Sequence, residues 1–133
     1  MNRTRDIEFG TRSEQKMLTV LQEKLKNPHL KKESDKYALY DYYSKHMRVE
    51  LKTRRNKSDA YPTTMIGLNK VRDAEIFDGE YYYIFKFDDK TMWIKYNEKK
   101  FMNFDVGGGR RSDRGGIEEG VYVYIPIEYL KEL

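Results

Sequence analysis

The sequence predicts an α/β domain with a mixed central β-sheet flanked by helices. Apolar residues recur at helical spacing near the start of the chain, and runs rich in aromatic and β-branched residues fill the middle. The order helix, two strands, helix, hairpin and late strand is typical of helices packed on a sheet. With 133 residues, the chain has the length of one domain, so we expect residues 1–133 to form a single domain.

Composition excludes several kinds of site. The chain has no Cys and only two His, which rules out disulfides and thiolate metal centres and argues against a zinc enzyme. Any metal is therefore expected to be a hard cation bound by oxygen atoms. The net charge of +4 allows a polyanionic partner. Because no apolar run has the length of a membrane span or a signal peptide, we expect a soluble intracellular protein without a membrane partner.

The first helix is predicted over residues 12–26, after a loose arm formed by residues 1–10. Pro28 ends the helical pattern. Glu14 lies one turn before the apolar stripe, in the first turn, where its charge favours the helix dipole. The stripe has helical spacing and consists of Met17, Leu18, Leu21 and Leu25.

Two strands, predicted at residues 37–43 and 47–53, organise the middle of the chain. Side chains alternate between faces along a strand, so Glu50 and Lys52 point to the same side. Asp41 lies inside the aromatic first run, where burial of a carboxylate is costly unless something binds it. If the two strands pair antiparallel through the short turn between them, Asp41, Glu50 and Lys52 converge on one spot.

An Asp in one strand followed by Glu-x-Lys in the next resembles the PD-(D/E)xK nuclease superfamily. The matching residues are Asp41 in ALYD and Glu50 and Lys52 in VELK. Tyr40 stands where the superfamily has a proline, and Asp35 in the charged run KKESDK is the alternative first acid. The runs ELKTRR, YPTTMIGLNK and GGGRRSDRG…YIPI also look like small viral and phage nuclease-like proteins.

The resemblance implies a restriction-endonuclease-like core and a metal-dependent nuclease. Asp41 and Glu50 would hold Mg²⁺ or Mn²⁺, with the backbone carbonyl of Leu51 also directed at the metal. Lys52 would orient the attacking water or stabilise the developing oxyanion. The superfamily often carries a helical glutamate before the first acidic strand, so Glu14 either faces this metal or serves only the helix dipole. The alternative for the motif is an exposed Glu50–Lys52 pair with Asp41 at a strand edge.

The second helix is predicted over residues 65–76, after a turn fixed by Pro62 and a cap at Thr63 or Thr64. Lys70 lies on the partly apolar stripe of this helix. Either its stem follows the edge of the core with its charge in water, or it reaches the active site, as the resemblance implies for a polar residue in this helix.

A hairpin is predicted where EYYYIFKF and KTMWIKY flank two aspartates. Both faces of its first strand are largely apolar, so that strand is expected to be central in the sheet. Core packing is a better account of its tyrosines than stacking on bases. We also expect a short strand within residues 97–106, a last strand at VYVYIPI and a short terminal helix at EYLKEL.

Two groups of basic residues are candidates for contacts with DNA phosphates. Arg54, Arg55 and Lys57 directly follow the Glu-x-Lys strand. The segment VGGGRRSDRGG predicts a flexible loop whose arginines either grip phosphates or stay solvated. These arginines are Arg110, Arg111 and Arg114.

The function expected from the sequence is a metal-dependent endonuclease that acts on DNA, with branched or otherwise structured DNA favoured over sequence reading. A resolvase of branched DNA would need a homodimer with two sites. One alternative is a nucleic-acid-binding module that keeps the fold without cleaving, and another is an interaction protein whose basic surface meets an acidic protein. A viral protein of this kind would act in the cytoplasm or nucleus of a host cell.

Overall fold

The computed structural model describes the backbone of residues 3–111 and 118–133 and the side chains of residues 14–108 and 120–133. Arg114 lies outside the described residues. The helices are α1 (Arg3–Lys24), α2 (Leu68–Ile76) and α3 (Glu98–Phe101). The strands are β1 (Lys31–Lys32), β2 (Tyr42–Ser44), β3 (Met47–Thr53), β4 (Thr63–Gly67), β5 (Glu80–Lys86), β6 (Thr91–Lys95), β7 (Asp105–Arg111), β8 (Glu118–Pro126) and β9 (Lys131–Glu132).

A mixed six-stranded sheet forms the larger layer, with the strand order β1-β2-β3-β5-β6-β9. The strands β3 and β5 pair parallel, and the other neighbours in this sheet pair antiparallel. The connection between β3 and β5 contains β4 and α2, as a parallel crossover requires. The predicted α/β class with a mixed central sheet and flanking helices is confirmed, and it fits a restriction-endonuclease-like core.

The strand β5 lies in the middle of this sheet, and the predicted hairpin with β6 is confirmed. Tyr83 and Phe85 are fully buried on one face, and Ile84 is fully buried on the other. The first face belongs to the core beneath α2, α3 and the second sheet, and the other belongs to the core beneath α1. Tyr81 and Tyr83 are core residues, as the sequence indicates, and Tyr82 is partly buried against the core beneath α1.

A second, three-stranded antiparallel sheet has the order β4-β8-β7. Its centre β8 confirms the predicted last strand. The prediction of a flexible loop is wrong for residues 106–111, because they belong to the strand β7, which pairs with β8. Glycine weakens a strand because it has no side chain to pack, but here a Cβ at Gly107 would lie 3.7 Å from the ring of Tyr124, so the neighbouring strand covers the position.

The first helix begins at Arg3, before the predicted start, so the loose arm expected over residues 1–10 is not what the structure shows for residues 3–10. The run has one glycine and no proline, and a single glycine costs a helix only about 1 kcal/mol. No helix in the described part of the chain combines the length and apolar character needed to cross a bilayer.

The strand expected over residues 37–43 is shorter than predicted, since β2 covers only Tyr42–Ser44. The N–H of Asp41 still donates to the carbonyl of Val49 at 2.8 Å. Beyond that point the Asp41 side chain, in place of a backbone carbonyl, accepts from the N–H of Leu51. The side chain thereby ends the ladder, and the residues before it turn away. The second predicted strand is confirmed as Met47–Thr53.

The helix expected over residues 65–76 begins only at Leu68, because β4 occupies Thr63–Gly67. Neither Thr63 nor Thr64 is its cap, since Gly67 holds that position without a side-chain hydrogen bond. The run TTMIG is rich in β-branched residues, and pairing with β8 selects the strand.

Two predictions near the C-terminus are also wrong. The short strand expected within residues 97–106 is replaced by α3, whose N-cap Asn97 accepts from the N–H of Lys100 at 3.0 Å. The terminal helix expected at EYLKEL is a single 3₁₀ turn, Ile127–Tyr129, followed by β9. Pairing of β9 with the open edge of β6 determines this end of the chain.

Candidate active site

Glu50 is the buried centre of a small charged cluster on the face of β3 that looks toward α2. It is 3 % exposed, although it carries a carboxylate. The Lys52 Nζ atom, two residues along the same strand, lies 3.3 Å from Glu50 Oε1. The Lys70 Nζ atom, from α2, lies 3.5 Å from Glu50 Oε2. Alternation along β3 therefore places Glu50 and Lys52 together, as predicted, and the crossover helix adds Lys70.

Burial raises the pKa of Glu50 to about 7, and the neighbouring charge of Asp41 adds to this rise. Lys70 and Lys52 oppose the shift but do not cancel it. Desolvation is the larger effect because a carboxylate loses strong hydration when it is buried. Near neutral pH this carboxyl group is therefore readily neutralised by a proton, and a cation would compete for the same oxygens.

Asp41 lies at the edge of β3 where β2 begins. Its Oδ2 atom accepts a hydrogen bond of 2.8 Å from the backbone N–H of Leu51. The two acids are close enough for Asp41 to raise the pKa of Glu50. The structure thus brings together Asp41, Glu50, Lys52 and Lys70, although the first strand is shorter than the sequence predicts.

The donor set fits a small hard cation. Glu50 Oε2 is buried and makes no hydrogen bond to the described residues, although Lys70 lies within ion-pair distance of it. Among the described side chains, those of residues 14–108 and 120–133, no cluster of three or more His, Asp or Glu could hold a metal. Mg²⁺ needs fewer, since it is usually held by one or two carboxylates together with waters and substrate phosphates. Asp41 and Glu50 match that pattern.

A family model described as phage putative PDDEXK endonuclease matches residues 7–133. The chain belongs to this family. Comparisons with curated proteins and with solved structures gave no match. The resemblance that rests on ALYD and VELK is therefore confirmed at the level of the family.

The alternative first acid of the PDDEXK motif, Asp35, lies elsewhere. It is exposed, and its Oδ1 atom accepts from the N–H of Tyr37 at 2.9 Å within a turn. Glu14 also lies away from Glu50. Its side chain is half exposed, and its Oε2 atom lies 3.6 Å from Lys32 Nζ. Among the candidate acids, the structure brings only Asp41 next to Glu50 within the described residues.

The basic residues that follow the Glu-x-Lys strand differ from one another in exposure and contacts. Arg55 and Lys57 are exposed. The Arg54 guanidinium is partly buried, donates to the carbonyl of Met65 on β4, and lies 6.0 Å from the centre of the Phe85 ring. Arg54 therefore joins the two sheets. Arg110 and Arg111 belong to β7, but their side chains lie outside the described residues.

Residues that sequence reasoning missed lie around the cluster at Glu50. Arg48 shares the face of β3 with Glu50, and its Nη1 atom donates to Asp73 Oδ1 at 3.0 Å. The Tyr83 hydroxyl, beneath α2, donates to the backbone carbonyl of Lys70 at 2.9 Å. Alternation along β3 was a usable signal for Arg48, because residues 48, 50 and 52 share one face. The contacts of Asp73 and Tyr83 depend on where α2 crosses the sheet, which local sequence patterns do not define.

Proposed function

We propose that this protein is a metal-dependent endonuclease that hydrolyses phosphodiester bonds in DNA. The observation that supports this most is the convergence of Asp41, Lys52 and Lys70 on the buried Glu50 carboxylate, whose Oε2 atom makes no hydrogen bond to the described residues. An ordinary structural ion pair has no need of a second acid beside it, because two close carboxylates repel.

Asp41 and Glu50 are the residues that would hold Mg²⁺ or Mn²⁺, together with the backbone carbonyl of Leu51. The N–H and C=O of a strand residue point toward the same neighbour, so the Leu51 carbonyl lies on the edge of β3 where its N–H meets Asp41. When bound, such a cation offsets the phosphate charge and acidifies water. The two carboxylates would also supply the negative charge that attracts the cation.

The two lysines differ in exposure and therefore in proposed role. The Lys52 side chain is 32 % exposed, so its ammonium group can release Glu50 and turn toward a water or a phosphate oxygen. The Lys70 side chain is 18 % exposed and is better placed to offset charge that develops on the phosphate. Fixed cations of this kind stabilise a developing oxyanion without reorganisation.

Contacts with the DNA backbone are assigned to the exposed Arg55 and Lys57 and to Arg110, Arg111 and Arg114, with Arg54 at the junction between the sheets. Lys and Arg contacts to phosphates position the DNA without reading its sequence. We propose branched or otherwise structured DNA as the substrate form. A branched substrate would be cut on two strands, which requires a homodimer with two sites.

The test is cleavage of a labelled linear duplex and a labelled four-way junction of the same sequence, with Mg²⁺, Mn²⁺ or a chelator. Cleavage should require the metal and should be lost in Glu50→Gln. Glu80→Gln is a matched control, because Glu80 is a half-exposed strand glutamate whose partner is Lys95. Equal cleavage with and without chelator contradicts metal dependence. Faster cleavage of the junction, by a species of dimer mass, supports the structured substrate.

A non-catalytic nucleic-acid-binding module is the second candidate. It is favoured by one observation, namely that two lysines already offset the Glu50 charge from 3.3 and 3.5 Å. In that case DNA binding should be salt-dependent, and neither metal should produce cleavage. The same module should gain no thermal stability from Mn²⁺, because a ligand stabilises only the protein that binds it.

A further inference from the structure

We propose that Arg48 is a positioning residue that holds Asp41 and Lys70 against Glu50 through one partly buried network. The inference deepens the proposed nuclease function and rests on it. The network contains Arg48 on β3, Tyr40 in the segment before β2, Asp73 on α2 and Tyr81 on β5. Each of these elements either carries a residue of the candidate site or directly adjoins one that does.

The Arg48 guanidinium lies between two aromatic rings, 4.5 Å from the centre of the Tyr40 ring and 4.2 Å from that of Phe77. Its Nη1 atom donates to Asp73 Oδ1 at 3.0 Å. The side chain is 26 % exposed and that of Asp73 is 10 % exposed. A planar guanidinium can stack and form a hydrogen bond at the same time, which a lysine ammonium cannot reproduce. Arginine at this position therefore fixes two neighbouring segments at once.

The first of these segments leads directly into Asp41. Tyr40 precedes Asp41 in the chain and stacks on Arg48, while the Tyr81 hydroxyl lies 3.4 Å from the carbonyl of Leu39. The segment is otherwise a series of turns and bends. Tyr40 also occupies the position where the superfamily motif has a proline. Stacking on Arg48 thus provides the restraint before the acid that the proline ring would otherwise supply.

The second segment is α2, which carries Lys70. Asp73 lies one turn after Lys70, so both side chains project from the same side of the helix. Asp73 Oδ2 accepts from the Tyr81 hydroxyl at 2.8 Å, and Oδ1 accepts from Arg48. With the carboxylate held at both oxygens, the rotation of α2 about its axis is fixed. That rotation determines whether Lys70 faces Glu50.

A stability role alone would not require these residue types. Replacing a buried ion pair with apolar residues of similar volume is often neutral or stabilising. The polar network has a different property, because its directional contacts join β3, α2 and the segment at Tyr40 to one another. It therefore defines relative positions, as a site built from several elements requires.

The experiment compares Tyr40→Ala, which removes the stacked ring, with Tyr40→Phe, which keeps it. The first readout is hydrogen exchange of the Leu51 amide without metal, relative to amides of the β5–β6 hairpin, because the Leu51 N–H is bound by Asp41. Protection should fall about tenfold in Tyr40→Ala, as expected for one hydrogen bond to a charged group, and should also fall in Arg48→Lys. It should stay at the parent level in Tyr40→Phe. Asp41→Ala gives the size of a complete loss.

The second readout is the rise in melting temperature caused by Mn²⁺, which should shrink in Tyr40→Ala and in Arg48→Lys and persist in Tyr40→Phe. Tyr82→Ala is the control, since Tyr82 is a half-buried tyrosine paired with Trp93 on the opposite face of the sheet. Full Leu51 protection in both Tyr40→Ala and Arg48→Lys overturns the proposal. If the parent protein neither binds Mn²⁺ nor cleaves DNA, the proposed function fails, while the exchange data alone still decide whether Arg48 positions Asp41.

Discussion

Asp41 and Leu51 are joined by a hydrogen bond of 2.8 Å, in which the Leu51 N–H donates to Asp41 Oδ2. The bond fixes the carboxylate to the strand that carries Glu50, immediately beside it. Variants that keep this bond while removing the charge can therefore separate the placement of Asp41 from its role as a ligand.

Asp41→Asn should abolish cleavage while leaving stability without metal equal or higher. The amide oxygen can still accept from Leu51, and removal of one charge relieves the repulsion between Asp41 and Glu50. Metal at about 100 times its dissociation constant stabilises a protein by about 2.7 kcal/mol, and most of this gain should be lost. Thermal melts with and without Mn²⁺, beside a cleavage assay, provide the measurement. Asp35→Asn is the control, and loss of activity there instead would move the first acid to Asp35.

Stability without metal should fall as the pH rises through the range set by Glu50. Its pKa is raised from 4.5 to about 7 in the folded protein, so between these values the folded state binds a proton that the unfolded state has released. The free energy of unfolding should therefore decrease from pH 4.5 to about pH 7, by about 3 kcal/mol, and then level off with respect to this group. Urea unfolding at several pH values measures the slope. Glu50→Gln should remove this contribution, and an unchanged slope in that variant would exclude Glu50 as its source.

Lys52→Ala should lower the cleavage rate by about 100-fold or more while keeping the thermal stabilisation by Mn²⁺. The reason is that the lysine is proposed to act on the attacking water or the phosphate and not to bind the metal. Lys70→Ala should behave in the same way. Lys86→Ala, at an exposed position on β5, is the control for loss of a positive charge. If either site variant loses metal stabilisation together with activity, its lysine acts by holding Glu50 in place.

Glu14→Gln should leave cleavage near the parent rate and lower the melting temperature only slightly. The side chain is half exposed and pairs with Lys32 at 3.6 Å, and exposed ion pairs contribute little to stability. Single-turnover cleavage of the same DNA substrate measures the effect. A loss comparable to that of Glu50→Gln would place Glu14 at the metal, as the superfamily resemblance implies for a helical glutamate.

Replacing Arg110, Arg111 and Arg114 with Ala should weaken DNA binding and flatten its dependence on salt. Each lost phosphate contact reduces the slope of log K against log salt by about 0.9 for duplex DNA. Binding measured at several salt concentrations gives this slope, and melting temperatures show that the fold is intact. Unchanged affinity and slope would assign these arginines to solvent, with Arg55 and Lys57 as the next residues to replace.

Alternation along β3 was sufficient to predict the part of the site that one strand supplies. Side chains two residues apart share a face, so Glu50 and Lys52 could be placed together from their spacing. Asp41 was placed beside them by assuming a long antiparallel strand. The proximity holds, but through a different arrangement, because the Asp41 side chain replaces the backbone as the partner of Leu51. Local secondary-structure propensity does not predict that a side chain will take the place of a backbone carbonyl as a hydrogen-bond acceptor.

The arrangement of α2 was less accessible from the sequence. Residues 65–67 were predicted as the start of the helix, and the strand there becomes evident only when its partner β8 is known. The sequence left open whether the charged end of Lys70 lies in water or reaches the candidate site. Its contact with Glu50 depends on Asp73 and Tyr83, which fix α2 through tertiary contacts. Periodicity identifies such residues as half-buried but does not identify their partners.

Gly67 connects the second sheet directly to α2. This residue is at once the last of β4 and the N-cap of α2, so no linker separates the second sheet from the helix that carries Lys70. A change in the orientation of β4 is therefore expected to move α2 as well. The strand β4 pairs with β8, and β8 pairs with β7, which carries Arg110 and Arg111. A polyanion that binds β7 and displaces these strands would therefore also shift Lys70 relative to Glu50.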